Sequence, residues 1–493
     1  MFRQILTCLC GVLLAASAAS AASAARADDE PPINNNLPEQ IALTLSPAGE
    51  PRPALKYSLA IGVRERTAGN GATFYYRALL MRKSLGEAHH KLYAKRQPDW
   101  ENRPLDDKTR AEIREWLVPN EKLLREVRRA VYCEHCAWDF RLQDLSGMDA
   151  ISFPMDEIQG IRDLGRVLSL KIRLAIAEQR YDEALETLRW GFQLCIDCAE
   201  QPLLISQLVG IAVAGVMAER VSELIAAPDA PNLYWAIAAL PRPLITIRRA
   251  LDFERGFGEQ IFPFLKDAET VERTPAEWKR RITGLSEDMK SLSSESPTPT
   301  SGQAWLEKAG QVLMLAKIYP TAKEELIAQG MDAKKLEAMP TAQVVAIHIS
   351  RATRASYDQA FKASLLPFPE NLRLAAEIEK QQQASRRSSL FAGFQLAQLL
   401  VPAVSSVSRS EMRLPRQLAA LQAIEAIRMH AAVTGKLPDS LSEITVVPAL
   451  PNPITHEPFP YQRKGAEATL VIPILPDEGP KRLERHYTIR LRP

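Results

Sequence analysis

Four cysteines in two C-x-x-C pairs are the residues of this chain best placed by type and spacing to do chemistry: Cys133-Glu134-His135-Cys136 and Cys195-Ile196-Asp197-Cys198. On a helix, positions i and i+3 share a face, so each pair can present two sulfurs to a neighbouring element. Three chemistries fit the pattern. Disulfides are favoured in an oxidising compartment, and an antiparallel helix pair would join Cys133 to Cys198 and Cys136 to Cys195. The first such bridge, closing a loop of about 60 residues, contributes roughly 4 kcal/mol in the chain-entropy picture. A zinc site is the second reading, with His135 able to stand in for one sulfur, although zinc ribbons usually place their pairs closer and on glycine-rich turns. The third is a thioredoxin-like redox dithiol, which wants a βαβ context that the sequence does not offer.

Other reactive side chains are dispersed. The seven histidines, His89, His90, His135, His348, His430, His456 and His486, form neither H-E-x-x-H nor a close ligand triplet. His89 and His90 would point about 100° apart on a helix and read as solvated or half-buried side chains; His348, between two isoleucines, reads as a core histidine. No G-x-S-x-G elbow or glycine-rich phosphate loop is present, and Ser84 and Ser291 sit in ordinary polar settings. Asp252, Glu254, Arg255 and Glu259 crowd one helical stretch, where an Asp and an Arg three apart read as a surface pair. The sequence names no catalytic residue and no cofactor, with zinc the minor alternative.

The N-terminus reads as a secretory signal, with Arg3 as its basic start, an apolar run over 5–16, and small residues ending at Ala25-Arg26-Ala27, where cleavage is expected. The run is too short to span a bilayer, which takes roughly 20 apolar residues. Cys8 and Cys10 leave with it, and Thr7 before Cys8 argues against lipidation. Removing Arg3 and Arg26 lowers the formal charge from +3 to +1. Near-neutrality, with acidic and basic residues interspersed along the helices, disfavours a nucleic-acid partner. The 46% apolar and 25% charged composition is that of a globular chain.

The fold class expected is all-α: antiparallel helical hairpins or a bundle, repeat-like, with a small antiparallel β tail. Residues 28–71, rich in proline and asparagine, read as irregular. A first helical domain spans 72–290, a Ser/Pro/Thr linker 291–302, a second helical domain 303–434, and a turn-rich tail 435–493. Apolar spacing predicts helices over 72–83, 107–117, 120–131, 158–178, 182–198, 203–226, 243–264, 275–292, 303–318, 342–364, 371–385 and 412–434. Asp106 or Asp107 would cap the second. The uncharged stretch 202–217 reads as a buried central helix, and 388–408, long enough to span a membrane but holding Gln395, Gln398 and Pro402, as a buried helix broken at the proline. Runs at 468–473 and 487–491 read as strands.

Residues 177–191, from Ala177 through Tyr181 and Ala184 to Gly191, resemble the helix-turn-helix of tetratricopeptide repeats, although no copies recur at a 34-residue period. Pro53-Ala54-Leu55-Lys56-Tyr57, Gly69-Asn70-Gly71-Ala72, Tyr75-Tyr76-Arg77-Ala78, Cys136-Ala137-Trp138-Asp139, Gly435-Lys436-Leu437-Pro438-Asp439-Ser440-Leu441 and Pro451-Asn452-Pro453-Ile454-Thr455-His456 continuing to Tyr461 together resemble a family of exported helical proteins of planctomycete-type bacteria with no assigned activity. The tail is also similar to the C-terminal segment of pseudopilin-like proteins. These resemblances imply export and a helical fold, and supply no catalytic residue.

The expected function is therefore an exported, non-catalytic helical protein that binds a protein partner or serves a structural role in the cell envelope. The alternatives are an envelope-associated hydrolase with a dispersed site, a zinc-binding protein, and tethering to the envelope through 388–408. N-terminal sequencing of the exported protein is expected to begin at Asp28; a chain that retains Met1 would overturn the cleavage assignment.

Overall fold

The structure, a computed structural model, describes residues 38–147, 149, 156–256, 259–260, 263–281, 301–388, 404–475 and 484–492. The leader, linker residues 291–300 with Ser291, and residues 389–403 of the 388–408 stretch lie outside these, as does the larger part of the 275–292 helix.

In chain order the elements are β1 (Glu39–Leu45), β2 (Thr67–Asn70), α1 (Gly71–Ser84), α2 (Glu87–Asn102), α3 (Asp107–Leu117), α4 (Glu121–Val131), β3 (Cys133–His135), α5 (Asp156–Ala177), α6 (Tyr181–Ala199), α7 (Leu204–Ala226), α8 (Tyr234–Ala238), α9 (Arg248–Arg255) and α10 (Pro263–Asp267). After these come α11 (Ser301–Ala328), α12 (Ala333–Ala338), α13 (Thr341–Ser364), α14 (Glu370–Ser388), α15 (Val404–Thr434), β4 (Tyr461–Lys464), β5 (Glu467–Ile472) and β6 (Arg485–Leu491). The chain is mostly helical with a small C-terminal sheet, as expected.

Two compact units emerge, neither contiguous. Among the described residues, one takes those within Asp139–Pro154 and Arg248–Val407; the other takes those from 38 to Trp138, then those within Met155–Ile247 and Ser408–Pro493. The sequence instead suggests a single boundary at 291–302. In the first unit α13 is the hub, packed by α9, α10, α11 and α14. Trp278, Ile318, Leu326 and the run Val344 to Ile347 form its dry centre.

The second unit is built on α5, α6 and α7. The connection between α5 and α6 is only three residues, with Gln179 in the left-handed region at φ 57°, so the two helices must run antiparallel. All three helices pack on one another, and glycines sit at the crossings: a Cβ on Gly165 would meet Val213 at 2.6 Å, and one on Gly210 would lie 2.9 Å from the Cys195 carbonyl. α7 is the one helix among the described residues long and apolar enough to cross a membrane, and 67% of its most apolar stretch is buried, so here it packs as a core helix.

Several expectations need correction. A fourth helix, α2, precedes the first cysteine pair; Pro98 inside it and its polar face hide the 3.6-residue period. The 28–71 stretch is not wholly irregular, because β1 lies within it and pairs in parallel with β6, Glu39 opposite Arg485 through Leu45 opposite Leu491. The sheet order is β1-β6-β5-β4, antiparallel except at that edge. In the 243–264 region the described helices are two short pieces, α9 and α10. Asp106, not Asp107, caps α3, accepting from Thr109 N at 2.7 Å.

β1 is tied to the helices by a fully buried ion pair. Arg428 on α15 meets Glu425 at 3.0 Å and donates to the carbonyls of Ser46, Ala230 and Pro231, while Glu425 accepts from Leu233 N at 3.0 Å. Every charged atom therefore has a partner, the condition under which a buried pair is tolerated. Arg428→Met should cost roughly 3–5 kcal/mol, since Glu425 is left as a buried unpaired carboxylate, and the double variant with Glu425→Gln should recover much of that loss. Urea midpoints for the two variants check this; a single variant within 1 kcal/mol of wild type, roughly the surface-substitution range, would refute it.

Candidate functional site

Both C-x-x-C segments fall in the second unit, but only one is helical. Cys195 and Cys198 lie on the last turns of α6. Cys133 instead opens β3, and Cys136 follows it in a loop. A short strand and its following loop do not have the 3.6-residue repeat, so the helical i, i+3 argument for a shared face does not hold for the first pair. β3 pairs in parallel with β2, Thr67 opposite Cys133 and Asn70 opposite His135. Asn70 holds the join together: its side-chain oxygen caps α1 at Ala72 N and accepts from Ala137 N, and its amide donates to the Ala137 carbonyl. A Cβ on Gly71 would sit 2.8 Å from the Ala130 carbonyl, so only glycine permits this approach of α1 to α4.

The four described cysteines are all buried and all free, and no two of their sulfurs lie at bonding distance. The expected pairing of Cys133 with Cys198 and Cys136 with Cys195 is thus not formed. Three thiols point at three different carbonyls: Cys133 at Arg129, Cys195 at Gly191 and Cys198 at Ser206, at 3.4, 2.9 and 3.4 Å. Among the described residues no group of three or more His, Cys, Asp or Glu side chains is arranged to hold a metal ion.

At the centre stands Asp197, inside the second C-x-x-C and buried. Its carboxylate accepts from Tyr75 Oη at 2.7 Å and from Gln193 Nε2 at 2.8 Å. Its carbonyl accepts from Trp138 Nε1 at 2.8 Å, which binds the segment after Cys136 to the end of α6. Arg66 bridges the rest, donating to the Cys133 carbonyl at 3.1 Å and to Gln193 Oε1 at 3.0 Å. Trp138 stacks on Tyr75, with centroids 5.5 Å apart and planes 10° from parallel, and meets Tyr76 edge-on.

Electrostatics follow from the dryness. Burial pushes all four thiols up, and the Asp197 charge adds to the effect at each. They are therefore held as thiols, the unreactive form, at neutral pH. Burial also raises Asp197 to about 7, against the opposing hydrogen bonds from Tyr75 and Gln193 and the charge of Arg66. Tyr75 is pushed well up by its own burial and by Asp197.

The remaining candidates are scattered. His89 is half-buried and stacks on Trp116 at 4.7 Å, and burial with the neighbouring His90 lowers its pKa. His348 is buried in the first unit, 3.5 Å from Glu325. Arg255 pairs with Asp358 at 2.6 Å and Glu259 with Arg354, so these two residues of the stretch are engaged with α13. Asp197, Tyr75 and Trp138 enter the sequence reading only as members of quoted motifs, with no role given to them, and Gln193 and Arg66 do not enter it at all. The one available signal was an acidic residue between two cysteines on an otherwise apolar helix end. Compared with protein-family models, curated proteins and solved structures, the chain finds no match.

Asp197 makes stability depend on pH. The folded protein holds its proton to about pH 7, whereas the group's ordinary value is 3.8. Across that window the folded state binds more protons, so stability is greatest below about pH 4 from this group and falls, by roughly 4 kcal/mol, as pH rises through 7. Asp197→Asn should flatten the slope, read as urea midpoints at intervals across that range; an unchanged slope would refute the assignment.

Proposed function

We propose that this is an exported, non-catalytic helical protein of the cell envelope that engages a protein partner through its helical hairpins. The observation that carries the reading is the sequential packing of α5, α6 and α7. Short connections set neighbours antiparallel, and glycines let their backbones approach closely. Within the tetratricopeptide-like segment, Ala184 is completely buried and Tyr181 donates to the Pro228 carbonyl, the close-crossing roles that the resemblance implies.

The unit also leaves large apolar side chains in water on its early elements: Val63 is 86% exposed and Leu80, on α1, 67% exposed. Burying such a side chain is worth about 1.5–3 kcal/mol, which makes these positions suitable reporters of a partner. A photo-crosslinking residue at 63 or 80, in cells that export the protein, should give one adduct of defined mass that a crosslinker at the exposed Lys122 does not give. Leu80→Asp should remove the adduct at 63 if the two positions meet the same partner. Absence of any position-dependent adduct, together with hydrolysis of envelope material by the purified chain, would replace this reading with the hydrolase alternative.

A further inference from the structure

The join between β2 and α1 carries a chemistry that partner binding does not use. Asn70-Gly71 is the single Asn-Gly step in the 493 residues. An asparagine side chain cyclises onto the next backbone nitrogen most readily before glycine, because no side chain there obstructs the cyclic imide. The step persists here for a steric reason. A Cβ at 71 would lie 2.8 Å from the Ala130 carbonyl oxygen and 3.5 Å from that of His135, so glycine cannot be replaced without moving α4 or β3. The chain therefore keeps its most labile asparagine at the point where a strand hands over to a helix.

In the fold both polar atoms of the Asn70 side chain are held. Oδ1 accepts from Ala72 N at 3.1 Å and from Ala137 N at 2.9 Å, and Nδ2 donates to the Ala137 carbonyl at 2.8 Å. The backbone, at φ −103° and ψ 114°, is extended in β2 and caps α1. Ring closure requires Cγ to turn onto Gly71 N, and that turn gives up the bonds to Ala72 and Ala137. Asn70 is only half-buried, and Ala68 and Gly69 before it are exposed, so solvent lies next to the site once those bonds part.

We propose that Asn70-Gly71 is a self-modification site that the join of β2, β3 and α1 keeps silent, and that sustained opening of the join marks the chain irreversibly. In the first step Gly71 N forms a bond to Asn70 Cγ, the Cγ–Nδ2 bond breaks, and Nδ2 leaves as ammonia with the proton from Gly71 N. In the second step water adds to either carbonyl of the succinimide. Opening at Cγ gives aspartate. Opening at the main-chain carbonyl of residue 70 leaves Gly71 attached through the side chain, an isoaspartate with an extra methylene in the main chain. Aspartate retains the acceptors for Ala72 and Ala137 but has no donor for the Ala137 carbonyl. Isoaspartate displaces Gly71 at a crossing too tight even for a Cβ, so β2 and α1 cannot return to their native join. Ala137 lies between Cys136 and Trp138, and the first C-x-x-C segment thereby loses its anchor.

The test uses the full chain with reductant, incubated at mildly alkaline pH across a urea series, then read by peptide mass mapping and isoaspartyl methyltransferase labelling. Aspartate and isoaspartate should appear first at residue 70, with one ammonia released per modified chain. The rate should follow the unfolded fraction and be slower by roughly tenfold or more without urea, because the closed join opens rarely. When urea is removed and the folded fraction is isolated by size exclusion, isoaspartate at 70 should be depleted from it. Gly71→Ala, assayed in urea where folding is not required, should lose the modification. Earlier modification of another asparagine, an equal rate at residue 70 with and without urea, isoaspartate chains that refold as fully as unmodified ones, or a Gly71→Ala chain that converts at the wild-type rate would each overturn the proposal.

Discussion

The second unit depends on one buried guanidinium. Arg428, with no exposed surface, is shared among Glu425 and the carbonyls of Ser46, Ala230 and Pro231, segments that are otherwise about 180 to 380 residues apart in the chain. Removing this cation would strand one carboxylate and three carbonyls in a dry core, and leaving such groups unpaired costs more than the pair contributes when intact. Its position after β1 explains why an N-terminal strand can add to a C-terminal hairpin. The chain leaving Leu45 is held by the Ser46 carbonyl at the point where β1 has finished pairing with β6. Arg485 extends the same logic to the sheet's surface, meeting Glu39 on β1 at 3.0 Å and Glu219 on α7 at 2.7 Å.

Asp197 follows the opposite rule. It is as buried as Glu425 yet has no guanidinium in contact, only a tyrosine hydroxyl and a glutamine amide. Neutral donors offset less of the desolvation cost than a paired cation does, so the proton is retained up to about pH 7. The same dryness holds the surrounding thiols in their protonated form. Two buried carboxylates in one unit thus serve different ends: burial raises the pKa of both, but Glu425 is paired with Arg428 and fastens segments, whereas Asp197 has only neutral donors in contact.

Much of the helical half of the fold was legible from spacing. The segments 107–117, 182–198 and 342–364 coincide with α3, α6 and α13 to within a residue or so, because each carries an uninterrupted 3.6-residue apolar period that burial then exploits. α2 was hidden by Pro98 and a polar run containing His89, His90 and Lys91, and its stability comes instead from tertiary contact, with Trp100 buried against Trp116. The strands β5 and β6 were legible from alternation. β1 was not, since its partner is about 450 residues away and short parallel pairing leaves no local signature. In the candidate site the four cysteines were legible, but not their backbone setting. The spacing Cys133 to Cys136 is equally compatible with a helix, and only the pairing of β3 with β2 makes it a strand and loop.

By itself the sequence determined the residue types available for chemistry, the helical periodicity and the alternating tail, because these are local properties written in nearest-neighbour and i, i+3, i+4 spacing. The tertiary structure alone decided which distant residues share a dry space. It brought Tyr75, Trp138 and Gln193 to Asp197, turned three thiols toward separate carbonyls, and set Arg428 between β1 and α15. Those outcomes depend on desolvation, and how far water is excluded from a group is a property of the packed chain rather than of any residue within it.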